Sequence, residues 1–156
     1  MSIAIVPRRD EGLTAHWSEA GPRAHTVQFY GEDTSLLKEL SYFIGAALMA
    51  GDAAVVIATK AHRDGLTHKL QSLGFDTARA FEQARYVPLD AAETLEKFML
   101  DGMPDATLFN EIVGGVLGKA VSAAEGKIPR IAAFGEMVAL LWAEGNTEAA
   151  LRLEEL

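Results

Sequence analysis

The chain has 156 residues, 49% of them apolar and 23% charged, which suits one globular domain with a core of its own. Its net charge of -8 argues against nucleic acid as a direct partner, because phosphate contacts need a basic patch and Arg8-Arg9 is the only adjacent basic pair. With no cysteine, disulfides, thiolate metal sites and cysteine nucleophiles are excluded. The apolar run Ile3–Val6 is closed at once by Pro7 and two arginines, too short and in the wrong order for a secretory signal. No segment approaches the roughly 20 apolar residues of a membrane span, so the expected location is the cytoplasm, with no membrane partner.

Residues 1–24 lack sustained periodicity and carry Pro7, Gly12, Gly21 and Pro22; they read as an extension, partly ordered by docking of Trp17 or of the Ile3–Val6 run. Regular patterning begins at His25. A strand over His25–Tyr30 leads through a polar loop to a helix capped by Asp33 or Thr34. Leu36, Leu37, Leu40, Phe43, Ile44, Ala47 and Leu48 give that helix one apolar face, and Gly51 ends it. AAVVIAT at 53–59 is a continuous apolar run of strand length, the pattern of a strand covered on both faces.

A helix follows over 61–73 with Leu66, Leu70 and Leu73 inward, then a short helix near 78–83. Tyr86–Leu89 is a strand whose Pro88 predicts a sheet edge or a strand end. Asp90 caps a helix over 91–100, Gly102 and Pro104 break the pattern, and a long helix is predicted over 105–124. Its apolar face is Leu108, Phe109, Ile112, Val113, Val116, Leu117, Ala120 and Val121. Gly114 and Gly118 on it make a spacing that permits close packing against a neighbour or, alternatively, a helix-mediated dimer. PRIAAFG at 129–135 is a further strand, followed by helices over 137–144 and, capped by Asn146, through Leu156. The alternation predicts an α/β fold, a mainly parallel central sheet with helices on both faces.

In such sheets ligands sit beyond the carboxyl ends of the strands, which selects Tyr30–Asp33, Thr59–His62, Asp90 and Gly135-Glu136. The first group stands where a nucleotide-binding fold carries its phosphate loop. Yet Tyr30-Gly31-Glu32-Asp33-Thr34 offers two carboxylates in place of the glycines and lysine that cradle phosphate. Glu136 is either a helix-start carboxylate favoured by the dipole or a ligand contact, and catalysis is not expected of it. His25 and Gln28 are polar residues in an apolar strand, each needing an internal or a ligand partner. Tyr30 brings an aromatic face and a hydroxyl to the rim, Phe29 suits the core, and Trp142 suits the core or a pocket wall. The histidines His16, His25, His62 and His68 are scattered, so no metal site is expected, and no hydrolase elbow is present.

Four segments carry a family resemblance. His25-x-x-Gln28-Phe29-Tyr30 with its acidic loop, AAVVIATKAHRDGL at 53–66, ARYVPLDAAETLEKFMLDGMPD at 84–105 and FGEMVALLWAEGNTEAALRLEEL at 134–156 stand in order. Together they resemble the MEDS domain, a DcmR-type sensory domain of methanogens and methylotrophs, over residues 25–156. The resemblance implies a RecA/KaiC-like three-layer sandwich whose Walker loop has degenerated. It also implies a non-catalytic sensory role without a cofactor: recognition of a small organic, hydrocarbon-like molecule and signalling to a histidine-kinase, anti-sigma or transcriptional partner. Its motif positions are His25, Gln28, Phe29, Tyr30, Phe134, Gly135, Glu136, Met137 and Trp142.

The candidate ligand residues are therefore His25, Gln28, Tyr30, Glu32, Asp33, Thr59, His62, Glu136 and Trp142. Family members continue with a further apolar strand where this sequence stops at Leu156. Either the sequence is truncated after Leu156, or the sheet lacks that strand and leaves an expected open edge, which keeps a homodimer in view. The rival readings are a ligand-free protein-interaction module and a residual KaiC-like nucleotide binder.

Overall fold

The computed structural model describes residues 2–4, 27–28, 33–125 and 129–156. In chain order the first half forms β1 (Ser2–Ala4), β2 (Val27–Gln28), α1 (Asp33–Met49), β3 (Ala53–Ala58), α2 (Lys60–Ser72), α3 (Thr77–Glu82) and β4 (Tyr86–Asp90). The second half forms α4 (Ala91–Glu96), the two short strands β5 (Met99–Leu100) and β6 (Met103–Pro104), α5 (Ala106–Phe109), a π-helical turn over Asn110–Gly114, α6 (Gly115–Ala123), β7 (Ile131–Gly135), α7 (Met137–Ala143) and α8 (Thr147–Glu154).

The main sheet runs β2-β1-β7-β3-β4. β3 pairs in parallel with β7 on one side and with β4 on the other. Alternate residues of β3 enter two separate cores, as the two-residue strand period requires. Ala54, Val56 and Ala58 pack with Leu40 and Ile44 of α1 and Leu66 and Leu70 of α2. Ala53, Val55 and Ile57 pack with Phe98, with Val138 and Leu141 of α7, and with Ala149 and Leu153 of α8. Helices thus cover both faces of an α/β sheet. Pro88 sits in β4, the sheet's last strand, where its missing N–H spoils no ladder on the open side.

Several expectations need correction. The sheet is parallel only through β7-β3-β4: β1 lies antiparallel to β7 and to β2, so the first strand joins the sheet through β1. A three-residue strand is too short to leave a periodic signal in the sequence. The helix predicted to reach residue 100 stops at Glu96, because Asp101 and Gly102 take positive φ of 50° and 81° and turn β5 back antiparallel onto β6. Asp-Gly with both residues left-handed is the turn that matches strand twist in a two-residue hairpin.

Leu73 is the C-cap of α2 and 48% exposed rather than inward, since Gly74 at φ 89° ends the helix there. The long helix is interrupted by its π-helical turn, and of its apolar face only Val113 and Ala120 are fully buried. Gly114 and Gly118 mediate no close packing: a Cβ built on either would meet nothing within 4 Å.

At the amino ends of β3 and β7, Asp52 is 2% exposed and its carboxylate accepts three bonds from Arg130. The backbone N–H and Nε donate at 3.2 Å and Nη2 at 2.9 Å. Asp52→Ala is expected to lower the unfolding free energy by about 2–3 kcal/mol, less than the roughly 3–5 of a fully buried pair because the Arg130 side chain is 33% exposed. Urea denaturation measures it, and a loss under about 1 kcal/mol contradicts the role given to this pair.

Candidate functional site

Three parallel strands ending side by side bring Glu136, Thr59 and Asp90 to one rim, in that order across the sheet. Thr59 has extended backbone angles and caps α2, its hydroxyl accepting the His62 N–H at 3.4 Å. In a local capping box a carboxylate at the position of His62 would reach back to the Thr59 N–H. Here that carboxylate comes from the far side of the chain. Glu136 Oε2 accepts the Thr59 N–H at 2.7 Å, and Oε1 meets the Nδ1 of His62. The backbone N–H of Glu136 donates to Ile57 O at 2.9 Å, extending the ladder one residue beyond β7.

Glu136 is buried (4% exposed), so each of its oxygens needs a donor, and both have one. An ionised carboxylate can only accept, so Nδ1 of His62 donates to it and the imidazole is held in one orientation. The His62 side chain is 16% exposed. Such a pair orients an imidazole firmly and places it at the rim.

Beside it, Arg63 donates through Nε to Ala58 O at 3.1 Å and through Nη2 to Asp90 Oδ2 at 2.6 Å. The other oxygen of Asp90 accepts the N–H groups of Ala92 and Glu93, capping α4. The Glu93 N–H, with the Arg63 guanidinium adding to it against a smaller opposing effect of burial, holds the Asp90 carboxyl below the ordinary carboxylate range. The rim is a chain of paired groups, Glu136–His62 and Arg63–Asp90, joined through the first turn of α2.

Of the candidate ligand residues, the structure brings together Thr59, His62 and Glu136. Gln28 pairs with Ser2, and Ile3 with Gly135. Gln28 therefore stands at the height of Glu136 on the sheet, two strand spacings or roughly 10 Å away. Asp33 begins α1, and its side chain, like His25, Tyr30 and Glu32, lies outside the described residues, as does Phe29.

Trp142 does not join the group. It is 40% exposed near the far end of α7, roughly 9 Å along the helix from Glu136. Arg63 was missed by the sequence reading; its only signal was a basic residue one helical turn after the capping Thr59. Among the described residues no helix is long and apolar enough to cross a membrane, and no group of three His, Asp or Glu is placed to hold a metal ion.

Comparison with known proteins gives one assignment. The family model MEDS (MEthanogen/methylotroph, DcmR Sensory domain) matches residues 24–156, and the chain belongs to that family. No curated protein and no solved structure shows a significant match to it.

Two outcomes test the rim. Glu136→Ala strips the acceptor from Thr59 N–H and from His62 and is expected to cost about 2–4 kcal/mol, whereas Glu136→Gln, still able to accept from Thr59, costs about 1–2. A double-mutant cycle with His62→Ala should give a coupling of about 1 kcal/mol or more; a value near zero means the imidazole is not held by Glu136.

Asp90→Asn keeps the cap but not the charge, and is expected to cost about 0.5–1 kcal/mol at neutral pH, a modest figure because the side chain is 25% exposed. Because the folded pKa is depressed, this contribution is full above the unfolded value of about 3.9 and vanishes as pH falls through the folded one. Wild type and variant should converge in acid unfolding below about pH 4, and a gap that widens instead refutes the assignment.

Proposed function

We propose, with membership of the MEDS sensory family as the premise, that this chain is a non-catalytic sensory domain whose strand-end rim reads a small organic, hydrocarbon-like ligand. The reading continues with transfer of the signal to a histidine-kinase, anti-sigma or transcriptional partner. The observation that carries it is the Thr59–His62–Glu136 group. It is polar, built on the buried carboxylate of Glu136 with Thr59 and His62 part-buried beside it. It is tied to two strands and the start of a helix, so a ligand that competes for the imidazole or the carboxylate shifts the first turn of α2. Parallel strands with helices on both faces also support a RecA/KaiC-like scaffold, one in which polar side chains stand at the rim where the phosphate loop would be.

A second reading has its own support. Leu100, Trp142 and Leu151 are 53%, 40% and 55% exposed, a pattern suited to a module that docks a partner without a ligand.

Thermal-shift screening of small alcohols, aldehydes and aromatic hydrocarbons, followed by isothermal titration, separates the two. A rim ligand at about 100-fold its Kd stabilises by about 2.7 kcal/mol and raises the midpoint by several degrees in wild type, with the shift lost in Glu136→Gln. A flat panel, together with partner capture that Trp142→Ala abolishes, sinks the ligand reading in favour of the docking module.

A further inference from the structure

At the opposite end of the sheet an open cleft of ≈ 240 Å³ lies between the last turn of α1, α3 and the entry to β4. Leu48, Phe75 and Ala80 form its apolar wall, and Arg79, Arg85 and Glu125 its polar side. Phe75 is fixed from behind, where Gly45 leaves the ring so close that a Cβ would stand 2.9 Å from it.

Arg85 is the unusual member. Its side chain is only 12% exposed, and a buried guanidinium needs acceptors for its five N–H bonds. Nη2 donates to Leu48 O at 2.7 Å, Nη1 reaches Glu125 Oε2 only at 3.5 Å, and the buried Nε has no acceptor among the described residues. A buried donor left without an acceptor is destabilising, so this cation is under-coordinated where it stands. Among the described residues the carboxylate facing it is that of Glu125, whose side chain is 63% exposed, and so loosely placed a pair stabilises little. The other acid of the cleft, Asp76, is already engaged in capping α3 through the Arg79 N–H at 2.9 Å.

We infer that this cleft is a binding site for a short aliphatic carboxylate. The carboxylate displaces Glu125 from Arg85 and is shared with Arg79, while the alkyl chain lies on Phe75, Leu48 and Ala80. The volume, below the about 300–1,000 Å³ of sites for drug-sized ligands, limits the occupant to a few carbons. Glu125 acts as a resident competitor that holds the arginine in place when the cleft is empty. The site stands apart from the rim, so the two can fail independently.

Hexanoate is the probe, with hexan-1-ol and hexylamine as controls of equal chain length. Arg85 itself supports the fold through Leu48 O, so the substitutions go to Arg79 and Glu125, both exposed. In amide-resolved NMR titration of the whole chain, hexanoate is expected to move Asp76, Arg79 and Gln83 and to leave Thr59, His62 and Glu136 in place. Glu125→Gln should tighten hexanoate about threefold or more by removing the competitor, and Arg79→Gln should weaken it about fivefold or more. Hexan-1-ol and hexylamine should bind at least about tenfold more weakly.

Hexanoate that leaves the cleft amides unmoved, alcohol binding as tight as the acid, or a Glu125→Gln affinity no better than wild type would each overturn the proposal. Movement confined to the rim would overturn it while sustaining the rim reading.

Discussion

β3 is buried along its whole length, flanked by paired strands and covered by helices on both faces, and the rest of the molecule is arranged around that constraint. A strand in that position cannot carry a polar side chain without stranding it, so polarity is moved to its two ends. At the amino end Asp52 clasps Arg130. At the carboxyl end Thr59 receives Glu136. Both clasps join β3 to β7, which are otherwise held by backbone ladder and apolar contact alone. The β4 side repeats the scheme, with Arg63–Asp90 at one end and the Arg85 bond to Leu48 O at the other. The register of β3 on β7 is therefore fixed at both ends, and a slip of one residue would break a clasp as well as invert the core.

The rim is thus structural before it is anything else. Glu136 completes the capping of α2 and holds the His62 imidazole in a single arrangement. The atoms that hold the helix start also orient the imidazole, so disturbing one disturbs the other. The family to which the chain belongs is one of sensory domains.

Much of this was legible in the residues. The apolar run at 53–58, the amphipathic helices and the caps at Asp90 and Asn146 all carry local signals, and local signals survive in a sequence; the cap at Thr59 was read only as the end of a strand. Pro88 announced its edge for the same reason. Glu136 was marked by its place after a strand, yet its partners were not, because Thr59 lies 77 residues away and only strand order makes them neighbours. The hairpin at Asp101-Gly102 was readable and was missed: the two-residue turn signal was taken for a mere helix break. Arg85 and the cleft had no signal at all, since their neighbours come from the end of α1, from α3 and from beyond α6.

The remote cap on α2 has a consequence for how the chain assembles. The first turn of that helix can form locally, but the Thr59 amide finds its acceptor only when a residue 77 positions later has been made and brought alongside. Closing so long a loop is entropically slow compared with winding a helix. The rim should be among the last parts of the molecule to set, completed when β7 takes its place beside β3. The helix it terminates then passes from a fraying end to a fixed one in a single late event.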